Sequence, residues 1–364
     1  MADCVIVGGG LVGLTTAYTL NQRGLDITVI EQRRLGGSAS WAAGGILSPM
    51  YPWRYPDEVV QLASSGAHQY PALSAELASA TGVDPEWFPC GLLTLDIPEN
   101  KSLVAWADRT GTALEVCPKE WVNKQIPSMS FDGTAAWMKQ VATIRTPRLI
   151  KALHSYLRQR GVALVESHKV TGLIRDGNRA VGVDLGGNKC LGERVVIASG
   201  AWSGLPLADL PEMPPIYPVR GQIIHLDAPE DFISTMILKE NKYLIPRKSG
   251  SILVGSTTEN VGFEERTTPE ARNELHDFAL NLFPELAGRR VINHWCGLRP
   301  GSDDSIPYIC VHPHVENLYF NTGHFRNGIV MAPAAAELLA KIMLGDKPAQ
   351  AAAFGFHRPE TNRN

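Results

Sequence analysis

Residues Cys4-Val5-Ile6-Val7 pass directly into Gly8-Gly9-Gly10-Leu11-Val12-Gly13 and then into an Ala/Leu-rich amphipathic stretch. That order predicts a strand, a tight turn and a helix. Gly8 permits the turn, Gly10 lets a pyrophosphate approach the backbone, and Gly13 allows the helix to lie close on its strand, with first-turn amides offered to the anion. A second strand, Ile27-Thr28-Val29-Ile30, ends on Glu31. An acidic side chain there can accept hydrogen bonds from a ribose diol and repels a 2′-phosphate. The unit therefore reads as a dinucleotide-binding βαβ motif; the competing reading is a glycine turn in an unrelated α/β protein.

With 364 residues, 44% of them hydrophobic and 20% charged, the chain has material for one large or two medium domains. A net charge of −3 and no Lys/Arg-rich run argue against a nucleic-acid partner. No apolar run reaches the roughly eighteen residues of a membrane span, so no membrane partner is expected. The first strand begins at the second residue, which leaves no space for a secretory leader; the expectation is a cytoplasmic protein. Six cysteines, Cys4, Cys90, Cys117, Cys190, Cys296 and Cys310, lack any CxxC spacing. Reduced thiols acting as small hydrophobes, and no metal site, are expected.

Beyond Glu31, residues Gln32 to Ile46 are rich in Gly, Ala and Ser and read as a loop lying along a cofactor, with Trp41 and Ile46-Leu47 packed. Helical spacing runs from 57 to 80 and stops at Gly82. A strand is expected at 91–95, helices near 100–109 and 119–125, and a Gly/Ser-containing segment at 128–134, where a second domain begins. The helix predicted at 147–159 leads to strands at 162–166, 169–175, 179–185 and 193–198, with Asp176-Gly177 and Gly186-Gly187 as turns. Pro-rich residues 206–218 mark a domain crossing, followed by strands at 221–226, 243–247, 252–256 and 290–295 and a helix at 269–282. Strand 317–321 then enters Thr322-Gly323-His324-Phe325-Arg326-Asn327-Gly328 and a helix from Ile329 to Leu344.

Taken together, the N-terminal turn with Glu31, Ala198-Ser199-Gly200-Ala201-Trp202-Ser203, Tyr243-Leu244-Ile245-Pro246-Arg247, Trp295-Cys296-Gly297-Leu298-Arg299-Pro300-Gly301-Ser302 and Gly323-His324-Phe325-Arg326-Asn327-Gly328-Ile329 resemble the D-amino acid oxidase-like flavoproteins. Within them the chain is most similar to the glycine oxidases of the thiamine pathway. The resemblance spans nearly the whole chain. It implies an α/β fold with two discontinuous domains: a Rossmann-like FAD-binding domain (1–80, 146–215, 300–364) and a substrate domain on a mainly antiparallel β-sheet (81–145, 216–299).

For the chemistry, the resemblance implies that Arg299 binds the substrate carboxylate, that Tyr243 adds a hydroxyl donor, and that Arg326 is a second active-site arginine, with Met50 near the substrate. A guanidinium suits the carboxylate because its planar fork pairs bidentately and stays charged. Noncovalent FAD is expected against Gly8, Gly10, Leu11, Val12, Gly13, Glu31, Gln32, Ser38, Ala42, Ala43, Gly44, Gly45, Val170, Ser199, Gly200 and Trp202. Arg299, His324, Arg326, Asn327, Gly328 and Ile329 complete that expected set. The implied reaction moves the substrate α-hydrogen as hydride to flavin N5. The resulting imine is hydrolysed to a 2-oxo acid and ammonia, and dioxygen takes the electrons to give hydrogen peroxide. No general base is assigned, because no histidine has a spacing that demands one, and His324 reads as structural.

Partners implied are a small amino acid and dioxygen, a second copy in a homo-oligomer, and a thiazole-forming enzyme that receives the imine. Cys296 and Cys310 depart from the alanine and glycine usual in the family, and the Gly45–Met50 stretch differs from its best-known glycine oxidases. Preference among glycine, sarcosine and small D-amino acids is left open. So are a D-amino acid dehydrogenase using another electron acceptor and a noncatalytic FAD-binding subunit.

Overall fold

In the computed structural model, which describes residues 1–129, 131–205 and 210–358, the predicted opening unit is present. Strand β1 (Ala2–Val7) runs into helix α1 (Leu11–Asn21) and strand β2 (Ile27–Ile30). The expected loop that follows contains one helical turn, α2 (Ala39–Ala42), before the long α3 (Asp57–Thr81). Next come β3 (Leu92–Thr94), α4 (Asn100–Thr110), β4 (Glu115–Pro118), α5 (Lys119–Gln125) and β5 (Thr134–Met138). After α6 (Thr146–Gln159) the chain forms β6 (Ala163–Val165), β7 (Gly172–Asp176), β8 (Arg179–Asp184) and β9 (Lys189–Ile197). The remainder comprises β10 (Tyr217–Leu226), β11 (Met236–Lys239), β12 (Lys242–Pro246), β13 (Ile252–Gly255), α7 (Pro269–Leu282), β14 (Val291–Gly301), β15 (Tyr308–Val311), β16 (Leu318–Thr322) and α8 (Gly328–Met343).

Two sheets organise these elements. In the first, the order β15-β16-β9-β1-β2-β6 is parallel apart from β15, and the β7–β8 hairpin joins through β9. The chain winds outward from β1 through β2 to β6 on one side and through β9 to β16 on the other. The order therefore reverses between β1 and β9, and the carboxyl ends of those strands open a crevice where such sheets bind ligands. Helices α1, α3, α6 and α8 cover one face. Leu149, Ile150, Leu153, Tyr156 and Leu157 of α6, repeating at helical spacing, are buried in that layer. Gly66 brings α3 against α8, since a Cβ there would stand 2.0 Å from the Val330 carbonyl oxygen.

The second sheet, β14-β10-β13-β12-β11-β3-β5-β4, is antiparallel except for the β11–β3 pair. Period-two alternation gives it two apolar faces. Leu244 and Ile224 pack with Leu275 and Phe278 of α7, while Tyr243, Ile245 and Ile223 turn the other way, toward Met50. The strand expected at 290–295 continues to Gly301, so Arg299 projects from β14 and not from a loop. Gly297, Pro300 and Gly301 are residue types that weaken a strand. They are accommodated because β14 is an edge strand, with Pro300 opposite Pro218 of β10. Strands β4, β5, β11 and β15 have no counterpart in the sequence reading. Part of the 128–134 segment and of the Pro-rich crossing at 206–218 lies outside the described residues. No helix among the described residues is long and apolar enough to cross a membrane.

Candidate active site

Between the sheets lies a cavity of about 630 Å³. Its floor is the crevice of the first sheet. Gly8 has a φ of +112°, and a Cβ there would stand 2.4 Å from the Ala198 carbonyl oxygen, so the turns after β1 and β9 interlock only around glycine. Ala198 N–H donates to the Val7 carbonyl at 2.8 Å. Gly13 does not line the cavity; its missing Cβ, 1.9 Å from the Gly8 carbonyl oxygen, is what lets α1 seat on the turn.

Gly10 differs. A Cβ there would meet only the Ser40 Oγ, at 3.2 Å, so internal packing does not exclude a side chain. It would instead fill the cavity wall at the start of α1, where unpaired helix-terminal amides attract an anion. Leu11 N–H donates to Ser40 Oγ at 2.9 Å. The Glu31 carboxylate also lines the cavity, accepting from Gly9 N–H at 2.8 Å and Arg33 N–H at 2.9 Å.

Three more polar groups on the wall are buried without a partner among the described residues: Ser199 Oγ, Asn321 Oδ1 and His324 Nε2. Such atoms are costly unless a ligand satisfies them. Burial pushes His324 down to about 3, which keeps its imidazole neutral. A cradle at Gly10, an acidic group at the end of β2 and unsatisfied donors and acceptors beyond them fit a bound dinucleotide.

The loop over this floor is tied down through its carbonyls. Ala42 O accepts from Trp295 Nε1 at 3.0 Å, Ala43 O from Thr146 Oγ1 at 3.0 Å, Gly44 O from Arg247 Nη2 at 2.8 Å and Gly45 O from Ile144 N–H at 2.9 Å. Trp41, expected to be packed, meets Trp295 edge-on at 5.7 Å while staying 47% exposed.

The roof is the cavity-facing side of the second sheet. Tyr243 is buried at its ring, and its hydroxyl has no hydrogen-bond partner among the described residues. The Arg299 guanidinium donates to Thr257 O at 3.1 Å and Arg220 O at 3.4 Å through Nη1, and to Ser256 Oγ at 2.7 Å through Nη2. No carboxylate lies within ion-pairing distance of Arg299 among the described residues. Burial, and then the neighbouring Arg326 charge, push Arg299 down to about 10, which still leaves it cationic near neutrality. Arg326 sits in the short turn between β16 and α8 and donates to Thr258 Oγ1. Met50 and Arg326 also line a smaller neighbouring cavity of about 310 Å³, with Arg54 and Tyr55.

The structure thus gathers Tyr243, Arg299, Arg326 and Met50 at one cavity with Gly8, Gly10, Leu11, Val12, Glu31, Gln32, Ser38, Ala42, Ala43, Gly44, Gly45, Val170, Ser199, Gly200, Trp202, His324, Gly328 and Ile329. Gly13 and Asn327 are not on its surface. None of the six cysteines lines it either, and all are free. The described residues hold no cluster of three or more His, Cys, Asp or Glu able to bind a metal ion. Sequence reasoning missed Gly221 and Gly255, whose absent Cβ atoms make room for Arg299 and Tyr243. A Cβ would stand 2.1 Å from Arg299 Nη2 at the first and 2.8 Å from Tyr243 Cε2 at the second. Glycine inside an apolar strand pattern was the available signal.

The family model described as FAD dependent oxidoreductase (DAO) matches residues 3–342. A glycine oxidase of Pseudomonas aeruginosa is 42% identical over 346 residues, covering 94% of this chain and 95% of that protein. A bifunctional protein ThiO/ThiG of Trichormus variabilis is 30% identical over 354 residues, covering 95% of this chain and 53% of that protein. Among solved structures, glycine oxidase from Geobacillus kaustophilus superposes with a TM-score of 0.92 at 27% identity, covering 99% of both chains.

Proposed function

Because this chain belongs to the FAD-dependent oxidoreductase family and is an FAD-dependent amino-acid oxidase, we propose that it oxidises glycine and other small amines, sarcosine and small D-amino acids among them. The observation that carries this reading is Arg299, a half-buried guanidinium without an acidic partner among the described residues, beside the unpartnered Tyr243 hydroxyl on the cavity roof. Together they form a receptor for one carboxylate. Three of the five guanidinium N–H groups are engaged by Ser256, Thr257 and Arg220, which leaves two, on Nη2 and Nε, for bidentate pairing.

A bound FAD would supply the two-electron chemistry between the substrate α-carbon and dioxygen. Gly8, Gly10 and the first turn of α1 would hold its pyrophosphate, Glu31 its ribose, and Ser199, Asn321 and His324 are the polar groups open to the rest of it. The work of the chain's residues on substrate is orientation: Arg299 and Tyr243 fix the carboxylate, and so the α-carbon, below the roof. Two guanidiniums, Arg299 and Arg326, face the same space, and nearby cations disfavour an ammonium. The substrate ammonium is therefore biased toward releasing its proton to water, and no side chain is assigned as a catalytic base. Loss of two electrons gives an imine, and water converts it to a 2-oxo acid, glyoxylate from glycine, with ammonia and hydrogen peroxide as co-products.

A role in supplying imine for thiazole formation in thiamine synthesis is part of the same proposal. It is supported by the bifunctional relative, in which a region similar to this chain makes up about half of the protein.

An absorbance spectrum followed by anaerobic titration with glycine, sarcosine, D-alanine and D-proline tests the reading. Bleaching reversed by air, with peroxide formed, is expected and ranks the substrates. In Arg299→Ala the flavin spectrum should persist while substrate bleaching slows by roughly two orders of magnitude or more, the loss of a charged, desolvated contact. Unchanged turnover in that variant removes the carboxylate assignment. Flavin that bleaches but reoxidises only with another electron acceptor points to a dehydrogenase.

A further inference from the structure

Arg220 lies on β10 only 3% exposed, behind the cavity roof, and is bound by two glutamates that the sequence reading did not single out. Its Nη2 and Nε donate to Glu259 Oε2 at 2.5 and 3.1 Å, and its Nη1 donates to Glu264 Oε2 at 3.0 Å. The other oxygen of Glu259 accepts from Gln222 Nε2 at 2.9 Å and from Thr257 Oγ1 at 2.5 Å. Thr257 Oγ1 in turn accepts from Gln222 N–H at 2.9 Å. Backbone pairing adds Arg220 N–H to Glu259 O at 2.9 Å and Glu259 N–H to Arg220 O at 3.0 Å. The segment leaving β13 is thereby laid flat across β10.

Every acceptor that Arg299 uses belongs to this assembly: the Arg220 carbonyl, the Thr257 carbonyl and the Ser256 hydroxyl. A guanidinium on a long side chain has several rotamers to lose on ordering. Holding its acceptors rigid is the way to fix which of its N–H groups face a ligand.

We infer that Glu259, clamped by Arg220, is a positioning residue for the substrate carboxylate: it locks Ser256 and Thr257 so that Arg299 presents its two remaining N–H groups to the cavity. The inference rests on Arg299 being the carboxylate receptor. Glu259 touches neither substrate nor cofactor. Its effect is on ground-state orientation, so it belongs mainly to KM and to the affinity for carboxylates that cannot react.

The test uses the FAD-loaded full chain, with glycolate as an unreactive two-carbon carboxylate titrated by flavin difference spectra. Glu259→Gln keeps the shape but turns one of the two accepting oxygens into a donor and removes a counter-charge from Arg220. About a tenfold rise in both the glycine KM and the glycolate Kd is expected, about 1.4 kcal/mol, with kcat within about twofold. Thr257→Val, which removes the Thr257–Glu259 side-chain bond and the acceptor of Gln222 N–H while leaving the Arg220 pair intact, should move both constants in the same direction. In an Arg299→Lys background, Glu259→Gln should add little, because the group it positions is gone. Unchanged constants in both single variants, or a full additional tenfold loss in the Arg299→Lys background, overturn the inference. If Arg299→Ala itself leaves glycolate binding intact, the carboxylate reading fails. If Arg299→Ala abolishes binding while the Glu259 and Thr257 variants do not weaken it, only the positioning role fails.

Discussion

The guanidinium of Arg299 lies over the backbone of Gly221, in the space a side chain at position 221 would occupy: a Cβ built there stands 2.1 Å from Nη2 and 2.2 Å from Nη1. Position 221 on β10 pairs with Gly297 on β14, two residues short of Arg299, so the side chain folds back along its own strand and across the neighbouring one. The proposed carboxylate receptor owes as much to that missing methyl as to the arginine.

Gly221→Ala should therefore act as an indirect Arg299 variant. The methyl expels the guanidinium from its three acceptors, and the glycine KM should rise on the order of 10- to 100-fold, the range for losing charge-assisted hydrogen bonds. FAD content after gel filtration should match wild type. Kinetics that match wild type would show that the guanidinium can be held elsewhere.

Gly10 and Gly13 separate cofactor binding from packing. In Gly13→Ala the new methyl meets the Gly8 carbonyl at 1.9 Å, and overpacking of this kind costs about 1–3 kcal/mol, read as a lowered Tm of the apoprotein. In Gly10→Ala the only protein contact is Ser40 Oγ at 3.2 Å. Apoprotein Tm should hold within a degree or two, while FAD Kd, followed by flavin fluorescence quenching, rises by about tenfold or more. A Gly10→Ala protein that binds FAD normally would place the pyrophosphate elsewhere.

Glu31→Ala removes an acceptor from Gly9 N–H and Arg33 N–H as well as a cavity carboxylate. Retention of FAD during dialysis should fall, by about tenfold in Kd for a lost charged hydrogen-bonding group. An equally saturated holoprotein after dialysis would count against the ribose role.

His324 supplies a pH signature. Its imidazole titrates at about 3 in the folded chain against an ordinary 6.5, because burial disfavours the charged form. Between those values the unfolded chain binds a proton that the folded chain refuses. Stability from this group is therefore unaffected above about pH 6.5 and falls as pH drops, by up to about 1.4 kcal/mol per pH unit. Denaturant unfolding of wild type and His324→Asn at pH 7 and pH 5 should show a smaller acid loss in the variant. Equal losses would mean that the imidazole is protonated in the folded protein.

The turn from β1 into α1, with Gly8 and Glu31, was legible because strand, turn and helix are contiguous and glycine's freedom at a φ of +112° is a short-range fact, although α1 is buried on nearly every side and is not the amphipathic stretch expected. So were α3, α6 and α7, long segments with one apolar face, and α8, a long apolar segment buried on nearly every side. The short strands β4, β5 and β11 were not legible. Residues such as Thr134–Met138 become a strand only because β3 and β4 flank them, and that pairing is set by the sheet and not by local preference.

The same division runs through the site. By sequence alone, Arg299 and Tyr243 were residues of suitable chemistry in motifs that resemble a family. That Arg299 stands on an edge strand, bends over Gly221 and takes its acceptors from Ser256, Thr257 and Arg220 depends on the register of β14 on β10 and of β10 on β13. Local sequence determined the turn at the start of α1, because its geometry is written in consecutive residues. Tertiary structure alone decided how Arg299 is seated, because the parts that hold it lie far apart in the chain, and a shift of one residue in any pairing would turn those side chains to the opposite face.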